Sequence, residues 1–298
     1  MQPITAIFFC MIAYIFTAIN PVESVELNHA NENVHVIFDV NGVLTQNSGA
    51  TKILGYKKFI AYLLLHHHNP FTIKAAIKQK LFNFLHSIKP RDPQEVDCQD
   101  EAGNILPQIM CDWMKGTMSS AQLLKAVDNA EAHNKKSLEL AIVVAIAKMM
   151  FTPELFMQSQ SWVPETIAFA KKLKKQGYKL YIFSNWDAES FALMKDKYPN
   201  TIGLFDGVVI SGDINLIKPD INFYRQALAQ CNIDINRSIF FDDQEVNVKA
   251  AQSIGLASIQ CKSIGFSARP DIASLEKQFK AWRNTHIKNF TVNDPLIA

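Results

Sequence analysis

The sequence predicts an α/β protein, a doubly wound parallel sheet with an all-helical insertion after its first strand. Three features predict it. Short apolar, β-branched runs recur at 34–40, 178–184, 208–211 and 238–242. Helix-period segments alternate with the last three of them. Between the first run and the rest, residues 46–160 show helical patterns and no convincing strand. Strands alternating with helices call for crossover connections, and hence for a parallel sheet.

The chain begins with an uncharged apolar segment from Ile4 to Ile19, followed by the helix breaker Asn20-Pro21. Its sixteen residues suit a signal-peptide apolar region better than a membrane span, which needs about 20. Val22-Glu23-Ser24 and Ala18 offer cleavage sites, although MQPIT carries no Lys or Arg. Residues 1–24 are therefore read as a signal peptide, which implies a secreted or periplasmic protein. An uncleaved membrane anchor is the alternative, and a buried core helix ranks third.

The first strand is VHVIFDV at 34–40. The insertion then reads as helices over 56–68, 71–86, 104–115, 119–129 and 135–151. Ser119 and Thr152-Pro153-Glu154 have the chemistry of helix starts. The strand YKLYIFS follows a helix over 164–176, which places Ile167, Ala170 and Leu173 on one face and stops at Gly177. A helix over 220–231 groups Phe223, Ala227 and Leu228. Another, over 245–254, groups Val246, Ala250 and Ile254 and closes at Gly255. Residues 32–45 and 160–262 thus form the α/β core, 46–159 the helical insertion, and 263–298 a tail with one helix over 272–287.

Composition excludes several classes. Apolar residues at 48% and charged residues at 19% build a core and exclude disorder over most of the 298 residues. A net charge of +2 excludes a molecule built as a whole for nucleic acid. Five Cys are too few for a disulfide scaffold of this length. Cys98 and Cys111 fit either a pair in an oxidising compartment or buried thiols.

Between Val40 and Arg91 there is no Asp or Glu, while Lys52, Lys57, Lys58, Lys74, Lys78, Lys80, Lys89 and Arg91 are present. Such a basic amphipathic stretch suits an anionic membrane surface or a phosphate-bearing substrate. The plainer account is a core-facing apolar stripe with a solvated basic face. His66, His67 and His68 cannot all face one ion, because adjacent helical residues point about 100° apart.

The chemistry-bearing residues lie at strand ends, where ligands bind in doubly wound sheets. Asp39 ends the first strand, Ser184 and Asn185 the second, and Asp242 and Asp243 another. Lys218 precedes Pro219 in a loop before a helix. Adjacent carboxylates after an apolar strand need a positive partner, and a hard divalent cation such as Mg²⁺ fits oxygen ligands.

In these residues the chain resembles the haloacid dehalogenase superfamily. The first motif is Asp39-Val40-Asn41-Gly42-Val43-Leu44, the second Ile182-Phe183-Ser184-Asn185-Trp186-Asp187, the third Lys218-Pro219-Asp220, and the fourth Phe240-Phe241-Asp242-Asp243 running on to Asn247, Ala250-Ala251 and Gly255. The helical insertion lies where this family carries its C1 cap domain. The resemblance implies that Asp39 is a nucleophile forming an aspartyl-phosphate. It implies an Mg²⁺ held by Asp39, the Asn41 backbone carbonyl, Asp242 and Asp243, with one of the pair as a direct ligand. It implies that Ser184, Asn185 and Lys218 hold the phosphoryl group. The function implied is a Mg²⁺-dependent phosphatase acting on a phosphorylated small molecule.

One departure stands out. Phosphatases of this family usually carry a second Asp, as general acid and base, where this chain has Asn41. An amide cannot transfer a proton in that way. Two other readings follow. One is a weakly active or non-catalytic binding protein that uses its basic cap. The other is a 2-haloacid dehalogenase-like hydrolase, whose usual Tyr at that position is also missing.

Overall fold

The computed structural model of the chain describes residues 33–47, 70–94, 98–100, 103–264 and 269–291. The segment 1–24, the expected helix over 56–68, the triple histidine and Lys52, Lys57 and Lys58 lie outside the described residues. Among the described residues, no helix is long and apolar enough to cross a membrane.

Five parallel strands form the main sheet: β1 (His35–Phe38), β4 (Lys179–Ser184), β5 (Gly207–Ile210), β6 (Ser238–Asp242) and β7 (Ala257–Gln260). Their order is β5-β4-β1-β6-β7. β1 is central, and His35 to Phe38 pair with Lys179 to Ile182 on one side and with Ser238 to Phe241 on the other. The strands read as continuous apolar runs because both faces are covered. On one face Phe38, Ile182 and Phe241 pack with Phe169, Phe191 and Phe279. On the other, Ile37, Phe183 and Phe240 pack with Phe223, Tyr224 and Leu228.

The covering helices follow the expected pattern. They are α6 (Pro164–Lys175), α7 (Ala188–Lys197), α10 (Ile221–Gln230), α11 (Glu245–Ser253) and α12 (Ile272–Thr291), with the short α8 (Pro199–Ile202) and α9 (Ser211–Ile214) between them. Pro164 starts α6 at a position where the missing N–H is harmless. The expected tail helix is present as α12, but a hairpin of β8 (Ser263–Ile264) and β9 (Arg269–Pro270) comes first.

The insertion holds α1 (Pro70–Ile88), α2 (Gln108–Lys115), α3 (Ser120–His133), α4 (Leu138–Phe151) and α5 (Pro153–Gln158). Ser119 caps α3 in a full capping box with Gln122. α2 starts later than its sequence pattern implies, because residues 103–107 are not yet helical. They are tied back by Leu106 N–H to the Cys98 carbonyl (2.8 Å) and by Asn104 on both Asp100 oxygens. α4 is apolar on nearly every side because it is enclosed by the other insertion helices, and Ile142, Ala147 and Phe151 join Leu85, Ile109, Trp113 and Leu123 in a separate core.

One expectation is corrected here. The stretch 46–160 is not free of strand at its edges: β2 (Thr45–Asn47) pairs antiparallel with β3 (Gln160–Trp162). This ribbon roots the insertion in the core. Three residues are too few to carry a readable period, and the pairing spans the whole insertion.

A second seam joins insertion and core. Ser211 Oγ donates to the Met114 carbonyl (2.6 Å) and accepts from Trp186 N–H (2.9 Å). Gly116 lies so close that a Cβ there would stand 2.9 Å from the Gly212 carbonyl oxygen. Phe156 packs between Trp113 and Trp186, with ring centroids at 4.8 and 5.1 Å.

Candidate active site

The register brings the carboxyl ends of β1, β4 and β6 side by side, and the sequence places a polar residue at each. Asp39 follows β1, Ser184 ends β4, and Asp242 ends β6 with Asp243 after it. One oxygen each from Asp39, Asp242 and Asp243 lies within 4.8 Å of the others. After Asp39 the chain turns sharply, with Gly42 N–H donating to Thr45 O (2.7 Å) and Thr45 N–H to Val40 O (2.7 Å). Neither bond uses the Asn41 carbonyl, and the Asn41 side chain is exposed. Gly42 has φ +81°, and a Cβ on it would stand 2.3 Å from Asp243 Oδ2. Only glycine lets the turn and the carboxylate come this close.

Lys218 stands in the middle at 1% exposure. Its Nζ donates to Asp242 Oδ2 (2.6 Å) and to the Phe183 carbonyl (3.1 Å), and lies 3.0 Å from Asp39 Oδ1. It also sits 5.1 Å from the Phe240 ring centroid. Burial works against the charged ammonium, but Asp242 and Asp39 outweigh it and the Lys218 pKa lies above its ordinary value. Burial pushes the Asp39 carboxyl up to about 6 and the Asp242 charge adds to this, while Lys218 and the Ser184 hydroxyl hold it down. Ser184 Oγ is buried and meets no hydrogen-bond geometry in full, although it is close enough to favour the ionised Asp39.

The acid pair is divided in its surroundings. Asp242 is fully buried, and both its oxygens take donors. Gln244 N–H reaches Oδ1 (2.8 Å), Asn247 Nδ2 reaches Oδ1 and Oδ2 (3.1 and 3.2 Å), and Lys218 takes Oδ2. Asp243 lies against Gly42, with its backbone carbonyl held by Gln260 Nε2 (3.0 Å). Asn247 is itself fixed from behind, because the buried Tyr224 hydroxyl donates to its carbonyl (2.9 Å). Burial, with Asp242 and Asp39 nearby, raises the Tyr224 pKa well above the ordinary value and keeps that donor neutral.

The structure thus gathers Asp39, Ser184, Lys218, Asp242 and Asp243 at one sheet edge. Asn185 is there too, but its side-chain amide is engaged with the Lys218 backbone, accepting from Lys218 N–H (2.8 Å) and donating to Lys218 O (2.9 Å). Sequence reasoning left Asn247 open between a helix-surface amide and a hydrogen bond near the acid pair, of which the structure shows the second, and it missed Gln260. The signal for Asn247 is its place at the third position of α11, one turn after the acid pair. Gln260 carries no local signal. His86 and His133 are exposed on α1 and α3. Cys98 and Cys111 are buried and cluster with Ile217.

One buried ammonium faces three clustered carboxylates here. The donor set is oxygen only, which fits a hard divalent cation such as Mg²⁺. Glycine at 42 lets the Asp243 carboxylate, one member of that oxygen set, lie against the turn after Asp39.

The comparisons with known proteins agree with this geometry. A model of haloacid dehalogenase-like hydrolases matches residues 35–255. Sesquiterpene phosphatase astK of Aspergillus oryzae is 34% identical over 89 residues, covering 30% of this chain and 45% of that protein. Drimenol cyclase drtB of Aspergillus calidoustus is 31% identical over 81 residues, 27% of this chain and 15% of that one. The chain therefore spans less than half the length of either relative. Among solved structures, the HAD family enzyme bt-2542 of Bacteroides thetaiotaomicron superimposes with a TM-score of 0.50. It is 16% identical over 77% of this chain and 94% of that one, in a variant complexed with magnesium and inorganic phosphate. Another structure of that enzyme also gives 0.50, covering 81% of this chain and 97% of that one at 15% identity. At these identities the likeness speaks for the fold alone. The family model spans well over half of the 298 residues, and with the strand-end cluster beneath it the chain belongs to the haloacid dehalogenase-like hydrolases.

Proposed function

We propose that the protein is a Mg²⁺-dependent phosphomonoester hydrolase that works through an aspartyl-phosphate on Asp39. The observation that carries this is the buried Lys218 holding Asp39 and Asp242 together beside Asp243. A bare carboxylate repels a phosphate dianion. Lys218 offsets that charge and aims an Asp39 oxygen at the edge of the sheet, where the phosphorus would sit. Ser184 Oγ has hydrogen-bonding capacity to offer a phosphoryl oxygen.

The residues that would hold the cation are Asp39, the Asn41 carbonyl and Asp243. Asp242, whose oxygens take donors from Lys218, Gln244 and Asn247, would serve mainly to orient Lys218. A bound Mg²⁺ would neutralise charge on the phosphoryl oxygens.

Asn41 sets the limit on the chemistry. With no proton donor at that position, esters whose alcohol departs without strong proton assistance are favoured. The sesquiterpene phosphatase relative places phosphate esters of apolar alcohols among the substrates to test. We also propose residues 1–24 as a secretion signal, which N-terminal sequencing of secreted protein would test.

The test is hydrolysis of p-nitrophenyl phosphate and of a sesquiterpenyl monophosphate, with Mg²⁺ and with EDTA, beside Asp39→Asn. Cation-dependent turnover abolished by Asp39→Asn supports the proposal. Halide release from a 2-haloacid without added cation points to the dehalogenase reading, and phosphate ester turnover insensitive to EDTA would contradict the cation requirement. Silence from folded protein points to the binding-protein reading.

A further inference from the structure

We propose that Asn185 is a positioning residue, whose side-chain amide locks the Lys218 loop to the loop after β4. This keeps the lysine in register with the groups that would grip phosphate. The inference rests on the phosphatase reading above and deepens it by one residue.

The geometry carries the argument. Asn185 offers one acceptor and one pair of donors, and both kinds of group are committed to a single residue: Oδ1 takes Lys218 N–H at 2.8 Å and Nδ2 reaches Lys218 O at 2.9 Å. This closes a reciprocal pair across 33 residues of sequence. These two bonds fix the plane of the amide against the Lys218 backbone. Lys218 is then tied to β4 at both ends. Its backbone is held by Asn185, and its ammonium by the carbonyl of Phe183, the residue before Ser184.

The need for such a lock follows from the lysine. Its four-carbon stem is flexible and its ammonium is a point charge without directional preference. The contacts of the ammonium with Asp39, Asp242 and the Phe183 carbonyl hold one end of that stem, and the placement of the Cα sets the other. On its other side the loop is held by packing, with Ile217 buried at 2% against Cys98 and Cys111 of the insertion. Apolar packing resists separation more than sliding. The Asn185 pair is the directional element.

The test combines exchange and coupling in the full chain with Mg²⁺. Hydrogen exchange at the Lys218 amide is expected to be slow in the parent, fast in Asn185→Ala, and slow again in Asn185→Asp, which keeps the acceptor. An amide equally protected in Asn185→Ala would overturn the proposal. This readout is independent of turnover, so a protein that neither hydrolyses nor binds phosphate would refute the phosphatase reading and still decide this one.

The coupling measurement is a double-mutant cycle of Asn185→Ala and Lys218→Met, read by calorimetric affinity for inorganic phosphate. Asn185→Ala alone is expected to weaken phosphate binding, and to lower kcat about tenfold to a hundredfold with less change in KM. In the Lys218→Met background it should change phosphate affinity by less than about twofold, because the lysine it acts through is gone. Additive losses would mean that Asn185 contacts phosphate independently, and would overturn the proposal.

Discussion

A carboxylate at 6% exposure is unstable as an anion unless its surroundings pay back the lost water, and Asp39 shows the balance directly. Burial lifts its pKa from 3.8 to about 6, so in the folded, cation-free chain it holds its proton more tightly than in the unfolded chain. The stability this gives is full below pH 3.8 and is lost as pH rises through about 6. A divalent cation binds the ionised form. The account therefore predicts a larger rise of Tm on adding Mg²⁺ well above pH 6 than well below it, as thermal unfolding would show. Gly42 gives a second prediction at this scale. Gly42→Ala forces a Cβ into the left-handed region and against Asp243 Oδ2, and should abolish the Mg²⁺-dependent rise in Tm. Asn41→Asp should raise the turnover of poor leaving groups by about a hundredfold, the usual reach of one general acid, in steady-state assays on alkyl phosphates. Asp39, Ser184, Asp242 and Asp243 were legible in the sequence because each ends or follows an apolar strand, and Lys218 because it falls between them in a fixed order. The role of Asn185 was not, because an amide's partner is chosen by tertiary contact.

Among the elements, α11 and α9 matter most to the site. The third residue of α11, Asn247, places its amide on both oxygens of Asp242 and is braced by Tyr224 from α10. Asn247→Ala should cost about 2–3 kcal/mol in urea unfolding, since it removes donors from a buried charge. It should also weaken Mg²⁺ affinity. At the seam, Ser211 of α9 bridges Trp186 and Met114, so Ser211→Ala leaves two backbone groups short of a partner. A loss of about 1–3 kcal/mol is expected, together with a raised KM if the insertion then swings away from the core. The strands β1, β4, β5 and β6 and the helices α6, α10, α11 and α12 could be read from the sequence, because each carries a period or a buried run, whereas α7 was not read. The β2–β3 ribbon could not, because pairing over a long separation leaves no local trace. The start of α2 was misplaced because Asp100 and Asn104 build a turn that periodicity does not register.

At the scale of the whole molecule, the sheet has an apolar core on each face and the insertion has one of its own, while the charge chemistry is collected along one edge. The insertion meets that edge through the β2–β3 ribbon and the Ser211 seam, so it is placed to shape what reaches Asp39. The insertion helices α1, α3 and α4 were legible because each carries a helix-period apolar pattern. The substrate was not, because selectivity depends on side chains that converge only in three dimensions. The most direct measurement is mass spectrometry of the Asp39-containing peptide, acid-quenched during Mg²⁺-dependent turnover of p-nitrophenyl phosphate. The account predicts one added phosphoryl group on Asp39, present with Mg²⁺, absent with EDTA and absent in Asp39→Asn. Turnover at the parent rate by Asp39→Asn, or full turnover with Asp39 never phosphorylated, would contradict it.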